Sequence, residues 1–247
     1  SLSISLREEF SSLNSENCEG KIKSALKQLG FDYVFDTGFG ADIASMLAAE
    51  ELLKKLKDKQ AAFPLITSSC PAWISYVEFY HPELLPHLST IRSPHIQSAG
   101  MIKTYWAKKN NLNPRNIILV SIGPCTAEKH ESIRPELFVN GRPLLDQVLT
   151  IRELVFLIKK NRLDFSKLPE KDSADLFNGS GAAVIYGTSG GTMESVLHTA
   201  VALSGAQKKN KISNNRLEFK TVRGLTGFKE AVVNLQGKRW RVGVVNG

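Results

Sequence analysis

The sequence predicts an α/β fold, and three stretches predict it. The apolar run Phe63-Pro64-Leu65-Ile66 ends at Thr67-Ser68-Ser69-Cys70-Pro71-Ala72-Trp73 and gives way to an amphipathic run from Ile74 to Tyr80, the pattern of a buried strand turning into a helix. Asn116-Ile117-Ile118-Leu119-Val120-Ser121-Ile122 is a near-continuous apolar strand closed by Gly123-Pro124-Cys125. Ala182-Ala183-Val184-Ile185-Tyr186 reads as a third buried strand, turned by Gly187-Thr188-Ser189-Gly190-Gly191 into a helix over 192–204. In an α/β sheet ligands bind outside the carboxyl ends of the strands, so Cys70 and Cys125 are delivered to one crevice by two strand ends.

Taken in order, the chain opens on Ser1-Leu2-Ser3-Ile4-Ser5-Leu6, an alternating strand pattern. Ser15 can cap a helix reaching to about Gly30, whose Ile22, Leu26 and Leu29 recur at helical spacing. Cys18 lies in its first turn and is read as structural or incidental. A short strand over 32–36 precedes a helix over 39–57, expected to carry Met46, Leu47, Leu52, Leu53 and Leu56 inward. Ser93-Pro94 opens a helix running to 109, with the hydroxyl as cap and proline at the first helical position, where its missing N–H costs nothing. Asn110-Asn111-Leu112-Asn113-Pro114 breaks that helix and marks the expected boundary between two lobes, 1–110 and 111–247.

In the second lobe the strand over 116–122 is followed by an irregular loop, a strand over 145–149 and a helix opened by Thr150-Ile151-Arg152-Glu153, a capping box. The stretch 164–179 is polar and reads as a surface loop. Three strands are expected near 217–222, 230–235 and 239–246. The glycines of 187–191 would let backbone amides approach an anion, yet their spacing fits neither a P-loop nor a dinucleotide fingerprint.

The bulk numbers bound the function. With 247 residues, 42% hydrophobic and 23% charged, the chain can bury a sizeable core and has an ordinary globular composition. No apolar run approaches membrane-spanning length and no signal peptide is visible, so no membrane role is expected. Three widely spaced cysteines make no disulfide framework, which suits a cytoplasmic protein. The net charge of +8 comes from scattered Lys and Arg rather than one basic stripe, which argues against nucleic acid and suits an acidic redox partner. The five histidines, His81, His87 and His95 among them, have no metal-ligand spacing and are read as non-catalytic.

A lone cysteine reads better as a small buried hydrophobe than as a ligand. The surrounding text decides. Thr67-Ser-Ser-Cys-Pro-Ala-Trp73, Gly123-Pro-Cys-Thr-Ala-Glu-Lys-His-Glu131 and Tyr186-Gly-Thr-Ser-Gly-Gly-Thr-Met-Glu194 occur in the order and approximate spacing of the catalytic domain of FeFe hydrogenases. Phe35-Asp-Thr-Gly-Phe-Gly-Ala-Asp42, His81-Pro-Glu-Leu-Leu-Pro-His-Leu-Ser89, Ser93-Pro94 and Val222-Arg-Gly-Leu225 also resemble that family, so the likeness covers essentially the whole chain.

The resemblance implies two lobes of mainly parallel twisted sheet flanked by helices, with the cofactor cleft between them. That cofactor, the H-cluster, is a 4Fe-4S cluster held by four cysteines and bridged to a two-iron centre carrying CO, cyanide and a dithiolate amine. Cys70 and Cys125 match the first two cubane ligands, and thiolates are natural ligands for such clusters. The family's other two ligands belong to a later motif, expected beyond Gly247. Both ends of the chain read as cut. Around the cofactor the resemblance implies roles for Gly123, Pro124, Glu128, Ser93, Pro94, Thr188 and Ser189, and a proton path through Ser69, Glu51, Ser89 and Glu131.

Three positions depart from the hydrogen-producing pattern. Ser69 stands where those enzymes have a proton-passing cysteine, and a hydroxyl does not ionise usefully at neutral pH. Gly123 stands for a methionine over the two-iron site. Glu128 stands for a lysine that pairs with cyanide, and a carboxylate cannot donate to it. Lys129 is adjacent but points elsewhere in a regular backbone, and Ala72 for glycine is a smaller change. The pattern resembles the divergent, sensory members: slow exchange of H2 and protons reported to a signalling domain. A conventional hydrogenase linked to a ferredoxin-like electron carrier is the second reading, and a hydrogenase-like factor of cytosolic iron–sulfur protein assembly is the third.

Overall fold

The computed structural model describes residues 10, 18–139, 141–169, 179–204, 219–222, 227–235 and 237–245. The expected strand over 1–6 and the Ser15 cap lie outside them. In chain order the elements are α1 (Cys18–Gln28), α2 (Gly38–Lys55), α3 (Pro71–Tyr80) and α4 (Pro94–Met101), the last continuing through a π turn at Ile102–Trp106 into Ala107–Lys109. Then come β1 (Val120–Gly123), α5 (Ala127–Ser132), β2 (Phe138–Val139), β3 (Arg142–Pro143), β4 (Gln147–Thr150), α6 (Ile151–Lys160), α7 (Gly181–Tyr186) and α8 (Gly191–Leu203). The last strands are β5 (Lys220–Thr221), β6 (Phe228–Leu235) and β7 (Lys238–Val245).

The fold is α/β, but its described sheets are small and mixed rather than large and parallel. β1 and β4 pair in parallel, with Val120 opposite Gln147 and Gly123 opposite Thr150. β2 and β3 are an antiparallel pair, and β5, β6 and β7 form a three-stranded antiparallel sheet.

Two expected strands are corrected. Residues 182–186 form helix α7, because a five-residue apolar run carries no period that separates strand from helix. Ser180 settles it locally, its hydroxyl accepting from Ala182 N at 3.1 Å and capping the turn. The run 63–66 contributes only a single parallel bridge, Ile66 to Leu88, made by Ile66 N to His87 O and Ser89 N to Ile66 O, each 2.8 Å. Pro64 removes a ladder donor and Phe63 is exposed, so this run is a tether, not a buried strand. The expected strand over 32–36 likewise reduces to one bridging residue, Phe35.

The helices carry the core. Ile151, Leu154, Val155 and Ile158 recur at helical spacing on α6 and pack with Ile22, Ala25 and Leu26 of α1, Phe165 and Leu168. The predicted capping box holds α6 in place: Thr150 Oγ1 accepts from Glu153 N at 3.3 Å, and Glu153 Oε2 accepts from Thr150 N at 2.7 Å.

Helix α2 meets expectation in part: Leu52, Leu53 and Leu56 pack against the cluster of Ala49, Val196, Ala200, Val201 and Leu235. Met46 and Leu47 are exposed, and the buried face is Gly40, Ala41, Ala44, Ser45 and Ala49. Small residues let neighbouring helices come close. A β-carbon at Gly40 would strike the Pro94 carbonyl and Ser98 of α4, and the Ser45 hydroxyl meets that of Ser195 on α8 at 2.7 Å.

Candidate functional site

Cys70 is the N-cap residue of α3, exposed, with Pro71 opening the helix. The turn before it is fixed by Ser68, which sequence reasoning did not single out. Its buried hydroxyl donates to Ser89 O at 2.5 Å and to Ile91 O at 3.1 Å, binding the cysteine turn to the segment 89–91. Ser69 faces elsewhere, its hydroxyl interacting with that of Tyr186 at the end of α7. Burial raises the Tyr186 pKa above its ordinary value, hydrogen bonds with Ser69 and Thr192 oppose this, and the Glu131 charge adds to it.

Glu51 and Ser89 are brought together. Ser89 Oγ donates to Glu51 Oε2 at 2.5 Å, and Thr90 N donates to Glu51 Oε1 at 3.0 Å. Thr188 and Ser189 lie exposed in the turn between α7 and α8, where Thr188 Oγ1 donates back to Ile185 O at 2.7 Å. Gly190 follows with φ +77°, and a β-carbon there would also crowd Val244, so the turn requires glycine.

Cys125 is half-buried just after β1, its sulfur accepting from Ala127 N at 3.4 Å. Pro124 beside it is exposed. Helix α5 then carries Glu128 and Glu131 one turn apart, both aimed at the first turn of α4. Glu131 is fully buried. Its Oε2 accepts from Ser93 Oγ at 2.7 Å and from His95 Nε2 at 2.9 Å. Ser93 therefore does not cap α4 with its side chain as expected; Pro94 opens the helix and the hydroxyl goes to Glu131. His95 Nδ1 lies 3.3 Å from Glu128 Oε2, an ion pair outside ideal hydrogen-bond geometry. The His95 pKa is raised to about 9: burial favours the neutral ring, and the two carboxylates outweigh it. Sequence reasoning set His95 aside for want of ligand spacing; its signal was its place two residues after Ser93 on the first turn of α4.

The Glu128 carboxylate folds over Gly123. A β-carbon at position 123 would land on its oxygens. Lys129 points away, donating to Glu153 Oε1 at 2.5 Å, as its neighbouring position implied. The two cysteine-bearing segments are joined by Arg134, which follows α5 and reaches α3. Its Nη1 and Nη2 grip Glu78 Oε1 and Oε2 at 2.7 and 2.6 Å, and Nη2 lies 3.2 Å from Ser75 Oγ. This bidentate fork lowers the Glu78 pKa from its ordinary value.

The donor set fits part of an iron–sulfur cluster. Cys70 and Cys125 are uncombined thiols, the right chemistry for two corners of a cubane. Among the described residues no group of three or more His, Cys, Asp or Glu side chains gathers to hold a metal, so those residues supply no complete ligand set. Glu131 Oε1 is buried with no hydrogen-bond partner among them.

Comparison with known proteins adds a family to this geometry. The family model described as iron only hydrogenase large subunit, C-terminal domain, matches residues 1–247. The periplasmic Fe hydrogenase large subunit of Nitratidesulfovibrio vulgaris is 42% identical over 230 residues, covering 92% of this chain and 53% of that protein. The cytosolic Fe-S cluster assembly factor NAR1 of Botryotinia fuckeliana is 36% identical over 154 residues, 59% of this chain and 27% of that protein. Among solved structures, an apo FeFe hydrogenase HydA1 from Chlamydomonas reinhardtii superposes with a TM-score of 0.81 at 34% identity, covering 95% of this chain and 58% of that one. The chain thus spans about half the length of the hydrogenases it matches.

Proposed function

We propose, for a chain that belongs to the iron-only hydrogenase large-subunit family, that it is the part of an iron–sulfur oxidoreductase that carries Cys70 and Cys125, handling H2 and protons slowly and serving to sense hydrogen. The observation that carries the reading is Glu128 lying over Gly123 beside Cys125. Two positions where hydrogen producers have a methionine and a lysine are here refilled as one packed unit, so the departure is a built feature of the site.

A 4Fe-4S cluster joined to a two-iron centre with CO, cyanide and a dithiolate amine would supply the making and breaking of the H–H bond. Cys70 and Cys125 would be two of its thiolate ligands, in a cleft between the two lobes. Ser69 would hold the position of the proton-passing group and pass protons poorly, its hydroxyl engaged with Tyr186. Glu51 and Ser89, already hydrogen bonded, would form the outer part of the path. The electrons would go to a ferredoxin-like carrier or a signalling domain. No helix among the described residues is long and apolar enough to cross a membrane, and free, widely spaced thiols suit the cytoplasm.

The third reading, an iron–sulfur assembly factor, is favoured by the likeness to NAR1 and by the lack of a titratable thiol at Ser69. Infrared spectra of a form of the protein that includes the family's later ligand motif, reconstituted with iron, sulfide and a synthetic two-iron precursor, separate the two. CO and cyanide bands, with hydrogen evolution per loaded centre that rises in Ser69→Cys, are the expected result. Iron–sulfur absorption without those bands would overturn the hydrogen-handling reading in favour of assembly.

A further inference from the structure

The buried cluster at the first turn of α4 carries a second assignment. We infer that His95 is the positioning residue of the Cys125 turn: an imidazolium held between Glu128 and Glu131, which fixes the Glu128 carboxylate over Gly123. The inference goes beyond the reading above and stands on the folded chain whether or not it turns over hydrogen.

The geometry supplies the argument. Both ring nitrogens face carboxylates, Nε2 to Glu131 Oε2 at 2.9 Å and Nδ1 to Glu128 Oε2 at 3.3 Å. A neutral imidazole has one N–H and one lone pair, so it would set a lone pair against one of these oxygens; only the cation offers a donor to each. His95 is 8% exposed and Glu131 0%, which leaves little water to soften that repulsion. Every element around the ring agrees. Helix α5 presents Glu128 and Glu131, α7 carries Tyr186 within electrostatic reach of Glu131, and α2 meets this end of α4 through Gly40, which brings no charge. The ring's raised pKa, about 9, follows from these neighbours.

The consequence for the site is steric as well as electrical. Glu128 has a place over Gly123 because no β-carbon stands there, and it is held there by the ring. Without the imidazolium, two carboxylates one turn apart on α5 would face the same buried space and repel.

Nitrogen-15 NMR of histidine-labelled protein tests this on the chain as folded, with no iron bound. The expected result is a His95 ring with both nitrogens protonated at neutral pH, titrating near 9, with a midpoint that falls at least tenfold in proton affinity in Glu131→Gln. Thermal stability should fall as pH rises from 6.5 to 9, because a group bound more tightly to its proton when folded stabilises fully below its ordinary pKa and loses that contribution through the raised one. His95→Gln, which keeps a donor and loses the charge, should abolish that slope. A single-tautomer, neutral His95 at pH 7.5 in the unaltered protein would overturn the assignment, and so would a midpoint unmoved by Glu131→Gln. Failure of the infrared test with His95 protonated would leave this assignment standing and remove only the hydrogen-handling one.

Discussion

At position 123 a methionine has no room while Glu128 keeps its place, since even a β-carbon there meets the carboxylate. Gly123→Met alone should therefore destabilise the fold by about 2 kcal/mol through overpacking. Combined with Glu128→Ala the penalty should shrink, giving a coupling of about 1 kcal/mol or more in a double-mutant denaturation cycle. Additive effects would show that the two side chains do not share the space. Restoring a lysine at 128 is a different matter, because it would set a second cation against the His95 ring; it is expected to be tolerated only with His95→Gln. Which residues matter here was partly legible in the text of the chain. Cys70, Cys125, Gly123 and Glu128 stand out by motif. His95 does not, because an ion-paired ring between two carboxylates leaves no spacing signature: its partners are 33 and 36 positions away.

Helices were legible where capping chemistry and a wide apolar stripe agree. Thr150 and Glu153 close their box as the sequence reads, and the stripe from Ile151 to Ile158 is buried as its period requires. The misread elements lack such agreement. Residues 182–186 have no period, and along α2 Leu52, Leu53 and Leu56 turn inward as expected while Met46 and Leu47 give way to the small residues that face α4 and α8. No local rule ranks the large residues against the small ones. The joint between α3 and α5 is also a long-range device, an arginine 56 positions from its carboxylate. Arg134→Lys keeps the charge and loses the fork, so it should cost about 2 kcal/mol in stability. Urea denaturation reads this, and Glu78→Gln in the Arg134→Lys background should add little. A full additional loss from Glu78→Gln would mean that the fork is not what joins the two helices.

Across the whole molecule, the same joints that make the fold also set the two cysteine turns. Ser68 ties the Cys70 turn to the segment 89–91, Glu51 holds that segment to α2, and Arg134 ties α3 to the chain leaving α5. Fold class could be read from the β1 run and the capped, striped helix α6; sheet size could not, because the pairing of β1 with β4 spans 27 positions and short apolar runs elsewhere settle into bridges or helix. The central claim is that Cys70 and Cys125 converge as ligands of one centre. Its most direct test is thiol cross-linking with dibromobimane in a Cys18→Ser background, where fluorescence requires both ends of the reagent to react with neighbouring sulfurs. Strong fluorescence that vanishes in Cys70→Ser and in Cys125→Ser is the predicted result. Two thiols that each react singly and never bridge would contradict the account.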